Sequence, residues 1–260
     1  MSGADISEAD EIWHPAMREA FERDRMNVDE NGLPIQSDGD KNDQLNRLGY
    51  IIAVNALAPV STASVVKPDV ALWGVKSLLQ INPGTFTRYH GGDPNDVSAD
   101  QLIPVLCGFT ALGFQKSMGR MFKTMMARFG FAQNVVDGLN GDYKTRKVPD
   151  FMFLRAMPLF TRYSWFTYPL AWIFDLYLFV LVIGDVIYLH TNKDPADVNN
   201  TFLTISVCAL KKPTLWSIGA KELWLALCPQ VYERLQRYHR AESGGNPELA
   251  EIALPLIKKL

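Results

Sequence analysis

Apolar residues along most of this chain recur at three- and four-residue spacing, the period of a helix with one buried side. Leu45, Leu48, Ile51, Ile52 and Leu57 predict a helix from about Asp40 to Asn55. Leu102, Ile103, Val105, Leu106 and Phe109 predict another opening at Ser98, and the pattern continues through Met118, Met121, Phe122, Met125 and Phe129. Gly108, Gly113 and Gly119 argue against one unbroken rod, so two helices or a kinked one are expected there. Further helices are predicted over residues 5–24, from Pro68 through Leu79, over Phe151 to Phe160 and Tyr168 to His190, from Asp194 to Leu210, over Ile218 to Leu227 and Gln230 to Arg240, and from Asn246 to the end. Turn chemistry separates them at Asp29 to Pro34, at Asn82-Pro83-Gly84 and at Lys211-Lys212-Pro213, and residues 137–148 have the composition of a long loop.

No run of alternating β-branched residues lies between hairpin turns, so strands are not expected. The fold class that follows is all-α, an antiparallel helical bundle or an incomplete α/α toroid with little or no β. The chain is expected to form a single helical domain over residues 1–260, with the 137–148 loop as the one place for a sub-boundary.

The helix expected over 168–190 contains the run Leu176 to Gly184, bounded by Asp175 and Asp185. A bilayer-spanning helix needs roughly 20 apolar residues, and a central charge costs roughly 2.5–3.5 kcal/mol on insertion scales. The two aspartates therefore favour a buried core helix. Arg155, Arg162 and Lys193, with Trp165, Tyr168, Trp172 and Tyr188, keep a membrane or partner contact through 165–190 as the alternative.

Polar residues concentrate ahead of three predicted helices. The first cluster is Asp38, Asp40 and Asp43; the second is Asp93, Asp96, Ser98 and Asp100; the third is Asp194, Asp197, Asn199 and Asn200. The second and third share the pattern D-P-x-D-V, each with a histidine a few residues ahead (His90, His190) and a cysteine behind at the same offset (Cys107, Cys208). Helix capping explains much of this, because Ser98 and Gln101 read as a capping box and Asp197 or Asn199 as a cap. The number of carboxylates and amides exceeds what caps require. Were these entries to meet at one end of the bundle, they would line a polar pocket suited to a carbohydrate-like, polyhydroxylated ligand.

Asp100 with Asp40 or Asp43 would then be the candidate catalytic pair, since glycoside cleavage uses two carboxyl groups roughly 5 to 9.5 Å apart. Arg47, Arg88, His90, Asp96, Asp197, Asn199 and Asn200 are the candidate substrate-binding groups. The expected activity is binding and hydrolysis of such a substrate. The alternative is a non-enzymatic, membrane-associated or protein-interaction role for the apolar 151–190 block.

Composition narrows the remaining classes. A formal charge of −2 and a pI near 6.1 provide no basic field for nucleic acid. Cys107, Cys208 and Cys228 lack metal-ligand spacing and read as small core residues. Asp38-Gly39-Asp40-Lys41-Asn42 opens like a calcium loop, but Asp43 and Gly49 occupy the positions that need glycine and glutamate, so no metal site is assigned. The sequence shows no phosphate-cradling glycine loop and no nucleophile elbow, and no cofactor is expected. Met1 to Asp5 lacks the basic start and apolar core of a secretion signal, so the expected location is the cytoplasm, either free or attached at a membrane.

Overall fold

The computed structural model describes residues 27–35, 39–57, 79–80, 85–92, 99–127, 133–136, 143–146, 151–189 and 195–227, together with Glu22 and Val75. The helices expected over 5–24, 230–240 and 246–260 lie outside the described residues. Seven α-helices stand among them: α1 (Gln44–Leu57), α2 (Ala99–Leu112), α3 (Gln115–Ala127), α4 (Phe151–Phe160), α5 (Ala171–Leu189), α6 (Pro195–Leu210) and α7 (Leu215–Leu227). The class is all-α.

Among the described residues the strands form two small antiparallel pairs. β1 (Leu79–Gln80) pairs with β2 (Thr85–Phe86), with Leu79 opposite Phe86. β3 (Gln133–Val136) pairs with β4 (Tyr143–Arg146), with Gln133 opposite Arg146. Two expectations change here. Leu79 ends in a strand rather than a helix, and the stretch expected as a 137–148 loop contributes a strand at its centre. Both pairs are too short to show the alternation by which strands are recognised.

The core is one continuous cluster. Leu45, Leu48, Ile51 and Ile52 of α1 meet Leu102, Val105, Leu106 and Phe109 of α2, and the cluster continues through Met118 and Met121, Leu159 and Phe160, Leu178 and Val182, Ile205 and Val207 to Trp224. Ring contacts extend it: Phe86 lies 6.1 Å from Phe109, and Phe122 meets Phe160 edge-on at 5.3 Å. Met118, Met121, Met157, Cys107 and Cys208 are buried packing residues, as their apolar surroundings in the sequence imply.

α1 and α2 run parallel. Asn46 bonds to Gln101, Gly49 lies against Pro104 and Val105, and Gly108 lies against Ile52 and Ala53, so contacts advance together along both helices. A Cβ on Gly49 would sit 2.5 Å from the Val105 nitrogen, and one on Gly108 would sit 2.6 Å from Ile52 Cγ2. Of the three glycines expected to interrupt this stretch, Gly108 instead allows the close approach, and the two helices expected there do form. The break comes only at Gly113, where φ is +77° and the Phe114 N–H bonds back to Phe109.

α4 to α7 follow short-turn logic. The turn 161–170 returns α4 onto α5, and the turn 211–214 returns α6 onto α7. Arg162, at the end of α4, bonds to the carbonyls of Cys208 and Lys211 at the end of α6 and to Asp175 at the start of α5, so α5 and α6 are antiparallel.

Candidate functional site

Three features stand out: the polar end where α1 and α2 begin, a buried ionic junction under α5, and an apolar outer face on α5. Parallel packing accounts for the first, since it sets two helix starts side by side, and four donors there would otherwise be orphans. The Gln44 N–H bonds to the Lys41 carbonyl, Leu45 N–H to the Arg88 carbonyl, Asn46 N–H to Gln101 Oε1, and Arg47 N–H to the Asp43 carbonyl. Gln101 Nε2 donates to Asp43 Oδ1 at 2.6 Å. Gln101 therefore serves the start of α1; Ser98, its partner in the expected capping box, lies outside the described residues.

Asp40 and Asp43 precede α1 and do not lie inside it, because Asp40 accepts the Asn42 N–H in a local turn before the helix begins. Arg88 Nε donates to the Asn42 carbonyl, and Arg47 donates to the Ile35 carbonyl. His90 is exposed, and its backbone N–H bonds to Gln44 Oε1. Asp40, Asp43, Arg47, Arg88 and His90 are thus brought together at one end. Asp100 follows Ala99 at the start of α2 and so belongs to this end by position; its side chain lies outside the described residues, as do Asp38, Asp93 and Asp96.

Asp197 and Asn199 fall within α6, which opens at Pro195, so neither is its N-cap. Asn200 is buried in α6, and its Oδ1 has no hydrogen-bond partner among the described residues.

Two residues at this end carried no sequence signal. Asp29 is buried, accepts the Asn31 and Leu33 N–H groups on Oδ1, and accepts Gln44 Nε2 on Oδ2 at 2.8 Å. Gln44 thereby links the 29–33 turn to His90, and the Asp-x-x-Gly turn ending at Gly32 was the only hint of it. At the surface, the hydrogen bond from Lys41 to Glu30 (2.6 Å) holds the Glu30 carboxyl below its ordinary range and Lys41 above its own. Among the described residues no group of three or more His, Cys, Asp or Glu side chains assembles that could hold a metal ion. What this end does, on these contacts, is align two helix starts.

The second feature is a salt bridge within the core. Arg162 and Asp175 form a bidentate pair, at 2.9 and 2.6 Å, with both side chains almost fully buried. The other donors of Arg162 reach the carbonyls of Pro158, Cys208 and Lys211, so all five are used. Thr214 donates its hydroxyl to Asp175 and also caps α7, exchanging bonds with Ser217 across the first turn. Four helix ends meet at this pair. Burial pushes the thiol of Cys208 up to about 12 and that of Cys107 well above its usual range, so neither is a nucleophile near neutral pH.

The pair also orients α5. With Asp175, Leu178 and Val182 turned inward, Trp172, Ile173, Leu176, Val180 and Ile183 face out. Further exposed apolar side chains lie on the approach turn, where Trp165 is 76% and Phe166 89% exposed, and on the first turn of α7 at Leu215, Trp216 and Ile218. Phe179, 5.6 Å from the Trp216 ring, joins α5 to α7. No described side chain on the outer face of α5 is charged. Among the described residues no helix is long and apolar enough to cross a membrane.

No family model matches this chain, and neither the curated proteins nor the solved structures provide a match. The class defined by fold and surface is an all-α protein with one polar end and one bare apolar face.

Proposed function

We propose that this chain is a non-enzymatic interaction protein that docks through the apolar face of α5, its approach turn and the start of α7. One observation carries the reading: α5 is apolar on both sides, and among its described residues the outer side chains Trp172, Ile173, Leu176, Val180 and Ile183 are exposed. A helix used only for the core would carry polar residues outward. Large apolar side chains exposed in this number along one helix and its neighbours mark a place where something binds.

Trp165→Ser with Phe166→Ser is the direct test. These side chains contribute little to the core, so the melting temperature should stay close to wild type while association of the protein, with copies or with surfaces, falls. A wild-type chain that stays monodisperse at high concentration and binds no vesicle, apolar resin or protein would sink the reading.

A second reading is kept for the polar end: binding of a polyhydroxylated ligand, with hydrolysis by Asp100 and Asp40 or Asp43. The convergence of the α1 and α2 entries supports it. Against it stands the internal use of the groups described there. Asp100→Asn and Asp43→Asn should abolish glycan turnover if the reading holds; a change confined to melting temperature would leave helix alignment as their whole role.

A further inference from the structure

We infer that the occupant of the apolar face is the interfacial layer of an anionic lipid bilayer, entered by the Trp165–Phe166 turn and held at its headgroups by Lys211 and Lys212. This rests on the docking reading above and names what docks.

The arrangement has the polarity of a membrane interface. The most exposed apolar side chains of the face, Trp165 and Phe166, sit next to each other on a turn, with Trp172 one helix entry further on. Indole and phenyl rings favour the headgroup boundary, where an apolar body meets a wet rim. Beyond them the stripe is aliphatic, through Ile173 and Val180. The exposed side chains there, Ile173, Leu176, Val180 and Ile183, carry no hydrogen-bonding group, and acyl chains require none.

The cations lie at the aromatic end. Lys211 and Lys212 form the turn between α6 and α7, both exposed, and neither is paired with a carboxylate among the described residues. Their position against the aromatic turn is fixed by three contacts. Arg162 Nε donates to the Lys211 carbonyl at 2.9 Å, the Tyr168 hydroxyl donates to the Pro213 carbonyl at 3.0 Å, and Lys212 Nζ stands 5.8 Å from the Tyr168 ring centre. The Lys212 ammonium is thus held over Tyr168, in the same turn as Trp165 and Phe166, and the Lys211 backbone is fixed beside it; both stems are long enough for their heads to reach phosphate.

The carboxylate of this region, Asp175, is turned into the core and consumed by Arg162 and Thr214. On α7 the apolar face ends after Ile218, where Lys221 and Glu222 follow. With no spanning helix among the described residues, the attachment is to one leaflet, with α5 lying along the interface and its aromatic end at headgroup level.

The test is co-sedimentation of the full chain with phosphatidylcholine vesicles, with and without phosphatidylserine, read together with tryptophan emission. Expected are binding that is stronger on the phosphatidylserine vesicles and weaker in high salt, and a blue shift on binding. Lys211→Gln with Lys212→Gln should weaken anionic-vesicle binding roughly twenty-five-fold, about fivefold per lysine. Trp165→Ser with Phe166→Ser should abolish binding to both vesicle types with the melting temperature unchanged.

A wild-type chain that stays in the supernatant with both vesicles overturns the inference. Equal binding to both vesicles, untouched by the lysine variant, overturns the headgroup part of it. Sedimentation equilibrium without lipid separates the two levels: self-association lost in the Trp165/Phe166 variant would identify a second copy as the occupant, and the docking reading would stand without lipid. No response in either assay removes both.

Discussion

Asp175 and Arg162 show how one residue pair can set what a whole helix presents. An aspartate in an apolar helix must find a cation or turn to water, and here it finds a guanidinium with every donor engaged. Asp175→Ala would leave the buried guanidinium unpaired and should cost about 3–5 kcal/mol, read as a drop in urea midpoint. Arg162→Met combined with Asp175→Leu removes both charges and should cost clearly less. A double variant as unstable as Asp175→Ala would show that packing, and not charge, is what matters at this junction.

Cys208 gives a pH prediction at the same scale. Its folded pKa of about 12 lies above the ordinary 9.0, so the folded state keeps a proton that the unfolded chain releases. Stability from this thiol is intact below pH 9 and falls as pH rises from 9 towards 12, by an amount on the order of a few kcal/mol. Cys208→Ala should flatten that alkaline decline in melting temperature. A slope unchanged by the substitution would show that the thiol is not responsible.

At the level of elements, glycine decides the α1–α2 pair. The backbones approach too closely for a Cβ at Gly49 or Gly108, with contacts of 2.5 and 2.6 Å. Alanine at either should cost about 1–3 kcal/mol by overpacking. Gly184 in α5 meets nothing within 4 Å, so alanine there should stabilise by roughly 0.5–1 kcal/mol through helix propensity alone. Urea denaturation of the three variants checks both signs together. Gly49→Ala with the stability of Gly184→Ala would mean that the two helices do not meet in this register.

For the whole molecule, the two ends have different uses. The polar end is knit internally, by Asp29 to Gln44 and Asp43 to Gln101, whereas the apolar side chains on the outer face of α5 and the start of α7 are exposed. Exposed apolar surface of this kind should make the free protein self-associate as its concentration rises. Val180→Lys, at a side chain 56% exposed, should suppress that association and leave the melting temperature within about a degree of wild type, since surface changes away from caps and pairs stay within about 0.5 kcal/mol. Light scattering across a concentration series gives the answer. Scattering independent of concentration in the wild type would count against the exposed face as a sticky surface.

By sequence alone, helical spacing determined the all-α class, the approximate spans of α4 and α6 and the stop at Lys211-Lys212-Pro213, because periodicity and turn chemistry are local properties. It also located the polar entries at Asp40, Asp43 and Asp100 and the unusual apolar block that holds α5. The tertiary structure alone decided that α1 and α2 run parallel, that Gln101 serves the neighbouring helix, and that Asp175 meets Arg162. Each of these depends on which elements become neighbours, through connections whose length and turns carry no period. The orientation of α5 belongs with them. An apolar run with one aspartate is compatible with any rotation about its axis, and the buried guanidinium turns the aspartate in and leaves Trp172, Ile173 and Val180 facing out.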